Sequence, residues 1–240
     1  MKAKKDKVVA IVPAAGLGKR FGEEKNKPFY LLLDKPLIIR TLEALQSVEE
    51  ITEIIPVLKE DDLISCGDLI EKYNITKVKR IVPGGKERQD SVYNGIKILD
   101  DNTSIVLVHD GARPLAERDL IKRTIAGLKD CDGVVAGVPV KDTIKEVSRQ
   151  KSEENEEIIV QKTLNRNVLW AIQTPQVFFF EKIRDAYGKA TADKYYATDD
   201  AALMEWYGGK IKVVMGSYSN IKITTPEDIK IAEAILSHEL

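Results

Sequence analysis

The chain has 240 residues, with 37 Lys plus Arg against 38 Asp plus Glu, a formal net charge of -1, two histidines and two cysteines. That balance supplies no chain-wide field for nucleic acid or an anionic membrane, and Cys66 and Cys131 are too far apart for a CxxC pair, so neither a disulfide framework nor a zinc site is expected. The length suits one α/β domain over residues 1–240, and the basic start before the short apolar run 8–12 is neither a signal sequence nor a membrane span, which makes the cytoplasm the expected location.

In chain order, β-branched runs at 8–12, 54–57, 78–82, 105–109, 133–138 and 211–215 read as strands. Helical periodicity lies between them at 37–45, 63–73, 91–99 and 120–128. The alternation predicts an open, mostly parallel α/β sheet covered by helices. A final helix is announced by Thr225 as its cap, Pro226 in its first turn and Asp228 completing a capping box, and it is expected to pack on the sheet. One stretch departs from the pattern: 143–147 and 158–163 are strand-like and flank the polar run 148–157. They predict a β-hairpin arm over 142–163 standing off the core, either packed on a partner subunit or mobile at its tip.

The first strand runs into Pro13-Ala14-Ala15-Gly16-Leu17-Gly18-Lys19-Arg20-Phe21. Small residues at Ala14, Ala15, Gly16 and Gly18 let backbone amides approach a ligand, and Lys19, Arg20 and then Lys27 supply cations suited to a polyphosphate. No GK[ST] follows and the third glycine of GxGxxG is missing, so a Walker A loop and an NAD fingerprint are both disfavoured. Pro83-Gly84-Gly85-Lys86-Glu87-Arg88-Gln89-Asp90-Ser91 again joins a strand end to a helix; Gly84 and Gly85 suit contact with base or ribose and Ser91 a hydrogen bond to it, against a plain Gly-Gly turn with an exposed Arg. In Val108-His109-Asp110-Gly111-Ala112-Arg113-Pro114, Asp110 ends a buried strand and suits Mg2+ between phosphate oxygens, against a turn-starting Asp. A hydrolase triad lacks its GxSxG elbow. Thr174-Pro175-Gln176 and Ala197-Thr198-Asp199-Asp200 read as polar loops, the second capping a helix, and Lys222 stands among alternating apolar residues as a strand residue or a further cation.

Taken together, Pro13-Ala14-Ala15-Gly16-x-Gly18-x-Arg20, Lys27, Gly84-Gly85-x-x-Arg88-x-x-Ser91, His109-Asp110-x-Ala112-Arg113-Pro114, Thr174-Pro175-Gln176, Thr198-Asp199 and Lys222-x-Thr224-x-Pro226 resemble the 2-C-methyl-D-erythritol 4-phosphate cytidylyltransferases over nearly the whole chain. The resemblance implies a Rossmann-like nucleotidyltransferase that uses CTP and Mg2+ and acts on a sugar-alcohol phosphate in non-mevalonate isoprenoid synthesis. It also implies a homodimer in which the 142–163 arm reaches the partner's site. By the same match, Arg20 and Lys27 stabilise the transition state, Gly111 and Arg113 join the nucleotide-binding loops, and Asp110 sits at metal and acceptor. Thr143, Arg166, Thr198 and Lys222 hold the acceptor. Three positions depart from the family pattern: Pro28, which is expected to push Lys27 into extended geometry, Gly111 in place of Ala, and Asn165 in place of Asp beside Arg166. The rival readings are a ribitol 5-phosphate cytidylyltransferase, opposed by Leu169-Trp170 and Ala112-Arg113, and a catalytically silent nucleotide-binding module, opposed by the cations at Arg20, Lys27 and Lys222.

Overall fold

The computed structural model describes residues 6–16, 27–151 and 156–238. Strand β1 (Val8–Pro13) is followed by a short hairpin, β2 (Leu31–Leu32) and β3 (Lys35–Pro36), then α1 (Leu37–Gln46), β4 (Ile51–Leu58), α2 (Leu63–Lys72), β5 (Val82–Pro83) and α3 (Arg88–Lys97). The second half runs β6 (Ile105–Val108), α4 (Arg118–Ala126), β7 (Gly133–Pro139), β8 (Lys145–Lys151), β9 (Glu156–Thr163) and β10 (Trp170–Phe179). It closes with α5 (Phe180–Ala192), α6 (Asp200–Trp206), β11 (Ile211–Met215) and α7 (Pro226–His238).

Seven strands form one sheet in the order β11-β7-β10-β6-β1-β4-β5. β1 pairs in parallel with β4 and β6, β4 with β5, and β7 with β11, whereas β10 runs antiparallel to both its neighbours. Both faces are covered, which is why the central strands read as unbroken apolar runs. Along β1, Val8, Ala10 and Val12 face α1 and α4, and Val9 and Ile11 face α3, α5 and α6, as the two-residue period of a strand requires. The whole of 9–12 is inaccessible to solvent, so this strand end is a rigid base for the loop that leaves it.

Four predictions need correction. The strand expected over 78–82 shrinks to β5, with Val78 making a single bridge to Ile54. Thr174-Pro175-Gln176 is not a loop but lies inside β10, where pairing to β7 breaks between Ile172 and Gln176 and so accommodates a proline that cannot donate to the ladder. Helix α5 was not foreseen, and α6 was foreseen only as a helix capped from Ala197-Thr198-Asp199-Asp200, with no extent given to it. Finally, α7 packs not on the large sheet but in a separate cluster, where Ile229 and Ala232 meet Leu32, Leu37, Leu115 and Ile223. Asp228 makes its half of the expected capping box, its Oδ2 accepting the Thr225 amide at 2.8 Å.

The arm is present as the β8–β9 hairpin, a two-stranded sheet of its own, with polar residues 148–151 continuing the first strand. Val147, Ile158 and Val160 on it are exposed.

Candidate active site

Loops at the carboxyl ends of β1, β5 and β6 meet over a cleft of about 480 Å³, lined by Ala14, Ala15, Gly16, Lys27, Gly85, Arg88, Ser91, Asp110, Gly111 and Lys222 among others. This is where an open parallel sheet places its ligands. A second cavity of about 120 Å³ adjoins it, and Arg88, Asp110 and Lys222 line both; Arg113, Thr174 and the exposed Thr198 line the second alone. Gly18 and Arg20 lie outside the described residues.

The first two loops are packed too closely for larger residues. A Cβ on Gly84 would collide with the Ala15 side chain, and one on Gly85 with the Cβ of Asp90 in α3. The amides of this cradle are largely used within the protein: Ala14 donates to Val57 O at 2.7 Å, Gly84 to Leu58 O at 2.7 Å and Gly111 to Pro13 O at 3.2 Å. Ser91, expected to donate to the ligand, instead accepts the Gly85 amide at 3.0 Å and donates to Glu87 O at 3.1 Å. These residues therefore shape the cleft wall. Lys27 is not extended: it opens a short 3-10 turn over Lys27–Phe29, with Tyr30 N donating to Lys27 O at 3.2 Å. The buried Pro28 has no amide to satisfy in that first turn, which is why the turn tolerates it.

Between the cavities stands a charged cluster. Asp110 accepts from Lys222 Nζ at 2.7 Å on one oxygen and from Arg88 Nε at 3.2 Å on the other, with Arg113 Nε at 3.8 Å. Burial alone would raise the Asp110 carboxyl, but Arg88, Lys222 and Arg113 more than offset it and hold it well below the usual carboxylate range. Arg88 also donates through Nη2 to Asp200 Oδ2 at 2.8 Å. Burial opposes the Arg88 charge, yet Asp200 and Asp110 keep the guanidinium firmly protonated.

A neutral network fixes the Asp110 turn from behind. The Asp110 amide donates to Thr174 Oγ1 at 3.0 Å, the Thr174 hydroxyl meets His109 Nδ1 at 3.1 Å, and His109 Nε2 meets Arg113 O at 3.0 Å. With the Thr174 oxygen accepting the amide, its proton goes to Nδ1, so Nε2 carries the ring proton and donates to the carbonyl. Burial lowers the fully enclosed His109 to about 4, which keeps it neutral at physiological pH. Asn220 closes the network, donating to Thr174 O at 2.9 Å while its own carbonyl accepts Arg113 Nη1 at 2.7 Å.

Thr143 and Arg166 are exposed and line neither cavity of their own chain. Arg166 Nη1 donates to Lys141 O at 3.0 Å, and Asn165 uses its side-chain oxygen to accept the Asn167 amide at 3.2 Å. Sequence reasoning placed Arg88 in the family motif, with an exposed Arg on a plain turn as the alternative, but gave it no role in the site, and it gave none to Asp200 or Tyr187. Arg88 sits at the start of α3, four residues after Gly84, which is a local signal; Asp200 meets it across 112 residues, for which no local signal exists.

Glycine-tight loops over parallel strand ends, with lysine and arginine gathered beside them, define an α/β transferase cleft for an anionic nucleotide. The profile of the IspD family, 2-C-methyl-D-erythritol 4-phosphate cytidylyltransferase, matches residues 8–238. Proteins of that name from Clostridioides difficile and Desulforamulus reducens are 47% and 45% identical over 230 residues, covering 95% of this chain and 93% and 95% of theirs. The crystal structure of 4-diphosphocytidyl-2C-methyl-D-erythritol synthase from Anaerococcus prevotii superposes with a TM-score of 0.83 at 37% identity, covering 97% of each chain. The cytidylyltransferase of Thermus thermophilus gives 0.75 at 26% identity over 95% of this chain and 98% of its own. The chain belongs to the 2-C-methyl-D-erythritol 4-phosphate cytidylyltransferase family and is a nucleotidyltransferase.

Proposed function

We propose that the cleft binds CTP and the smaller cavity the phosphate of 2-C-methyl-D-erythritol 4-phosphate, so that an acceptor phosphate oxygen attacks the CTP α-phosphorus in line. The bond from that phosphorus to the bridging oxygen breaks, releasing pyrophosphate and leaving the CDP-linked methylerythritol. A phosphate monoester has a second pKa near about 6, so at neutral pH the acceptor is a dianion and needs no general base. The barrier lies in bringing two anions together, and positioning with charge stabilisation lowers it.

The observation that carries this reading is the shared border of the two cavities, lined by Arg88 and Lys222 around Asp110. An ammonium has three donors; Asp110 takes one from Lys222, which leaves others for an acceptor phosphate. Lys27 lies in the cleft wall on the nucleotide side, and Arg20, outside the described residues, joins it by motif match. Arg113 donates to Asn220 O and stands 3.8 Å from Asp110 as an ion pair, so it orders the nucleotide loop.

Mg2+ would be brought in with the nucleotide substrate, where it would neutralise triphosphate charge. Magnesium sites of this kind use one or two carboxylates and phosphates. Among the described residues, the two carboxylates lining the cleft, Glu87 and Asp110, are occupied: Glu87 in the capping box of α3 and Asp110 by Lys222 and Arg88. Three cations around Asp110 oppose its direct bond to a metal, and among the described residues no group of three His, Cys, Asp or Glu is placed to hold one.

The exposed apolar face of the β8–β9 arm and the solvent position of Thr143 and Arg166 at its base support a homodimer in which these two residues grip the acceptor in the partner's site. Among the described residues no helix is long and apolar enough to cross a membrane, in keeping with a cytoplasmic enzyme. Stereochemical analysis with isotopically chiral CTP tests the single displacement: inversion at the α-phosphorus is expected, and retention refutes it.

A further inference from the structure

We infer that Asp200 is a positioning residue for the transfer reaction, acting through Arg88 on the Asp110–Lys222 pair at the border of the two cavities. The inference rests on the cytidylyl-transfer reading above. Asp200 is wholly buried at the start of α6 and lines neither of the two cavities. Its oxygens are divided between Arg88 Nη2 at 2.8 Å and the hydroxyl of Tyr187, itself buried in α5. A buried carboxylate costs several kcal/mol in desolvation even when paired, so it is a poor device for stability alone.

Its placement explains what it does instead. The Arg88 guanidinium is held at two points by carboxylates from different elements, Asp200 through Nη2 and Asp110 through Nε. Because Arg88 is tied at its far end, it engages only one oxygen of Asp110 and leaves the other to Lys222 at 2.7 Å. An arginine released from Asp200 is free to take the two-pronged geometry that guanidinium and carboxylate prefer, covering the oxygen that Lys222 uses. The order Asp200, Arg88, Asp110, Lys222 is thus an alternating-charge tether, anchored in the core by the neutral Tyr187 hydroxyl and running to the acceptor cavity.

Charge alone predicts the opposite sign from positioning. Arg88, Arg113 and Lys222 face two carboxylates, so neutralising Asp200 raises the net positive charge and on that ground tightens an anionic acceptor. The test is steady-state kinetics of the full chain, wild type against Asp200→Asn and Tyr187→Phe, with each substrate varied separately and folding followed by thermal melting. Wild-type turnover first settles the underlying reading. Positioning then predicts that Asp200→Asn lowers kcat/KM for the acceptor about tenfold or more while KM for CTP changes less than about threefold, a split that general destabilisation does not give. Tyr187→Phe, which keeps the charge and removes one hydrogen bond from Asp200, is expected to lose about threefold in the same direction. In an Arg88→Lys background the Asp200→Asn change should add less than about twofold, since its route is already broken. An active wild type in which Asp200→Asn leaves the acceptor kcat/KM unchanged, or lowers the acceptor KM, overturns the inference. So does full additivity with Arg88→Lys. If Asp200→Asn fails to fold, an unaltered Tyr187→Phe overturns it.

Discussion

Thr174 and His109 share one proton-defined contact: the Thr174 hydroxyl, already accepting the Asp110 amide at 3.0 Å, lies 3.1 Å from His109 Nδ1 and fixes that ring in its neutral form. The histidine of the His-Asp block is therefore part of the frame that aims Asp110, and it has no route to the cleft as a base.

The pH dependence of stability follows with a definite sign. Burial lowers His109 from 6.5 to about 4. The unfolded chain then binds more protons than the folded one as pH falls below 6.5, so stability present at neutral pH is lost between about 6.5 and 4 and the loss is complete below that. The size is roughly 3 kcal/mol, from 1.36 kcal/mol per unit of difference. Urea unfolding across that window should show this slope in wild type and lack it in His109→Gln, compared as a difference between the two.

Gly84 and Gly85 form the tightest wall of the nucleotide cradle. Gly85→Ala drives a methyl into Asp90 of α3, and Gly84→Ala drives one into Ala15. Each is expected to cost about 1–3 kcal/mol in overpacking. Calorimetric titration with CTP should show weakened binding in both, and Gly188→Ala in α5, whose added Cβ would meet only Tyr93 Oη of α3 at 3.9 Å, should leave it unchanged.

Much of this arrangement was legible in the sequence because buried parallel strands leave unmistakable apolar runs: 8–12 and 105–109 marked the two central strands, and the small residues after them marked the cleft. Strand β10 was hidden because Thr174, Pro175 and Gln176 break its pattern, and they do so for a reason visible only in three dimensions. Thr174 serves His109, Gln176 bonds Asp199 at 2.8 Å, and the proline falls where ladder pairing is interrupted. The polar interruption was read correctly as chemistry and wrongly as a loop. Helix α5 escaped notice although Phe180, Ile183, Ala186, Tyr187 and Ala190 trace a buried stripe, and α6 is a single short helix capped by Asp199 accepting the Ala202 amide at 2.8 Å. The Arg88–Asp200 pair joins residues 112 apart, and pairing at such separation leaves no trace in local pattern.

Lys222→Met keeps the apolar stem and removes the charge beside Asp110. Loss of a cation that meets developing phosphate charge should lower kcat/KM for the acceptor by about 10²–10³-fold. CTP affinity, measured separately by calorimetry, should stay close to wild type; a fall in CTP affinity with the acceptor term intact would place Lys222 on the nucleotide.

The crossing of the arm is open to a mixing experiment. Lys27→Ala and Arg166→Ala chains, each nearly inactive alone, should regain activity when exchanged into a mixed dimer, because one of its two sites then combines an intact cleft with an intact arm. Statistical mixing predicts recovery of up to about a quarter of wild-type activity for residues acting across a C2 interface. No recovery despite demonstrated subunit exchange would place Arg166 in the cleft of its own chain.

The most direct test of the central claim is pyrophosphate release with CTP and Mg2+, offering 2-C-methyl-D-erythritol 4-phosphate and ribitol 5-phosphate in parallel to wild type and to Lys27→Ala. The account predicts turnover confined to the methylerythritol phosphate and largely lost in the variant. Release with ribitol phosphate alone, or with neither acceptor, would contradict it.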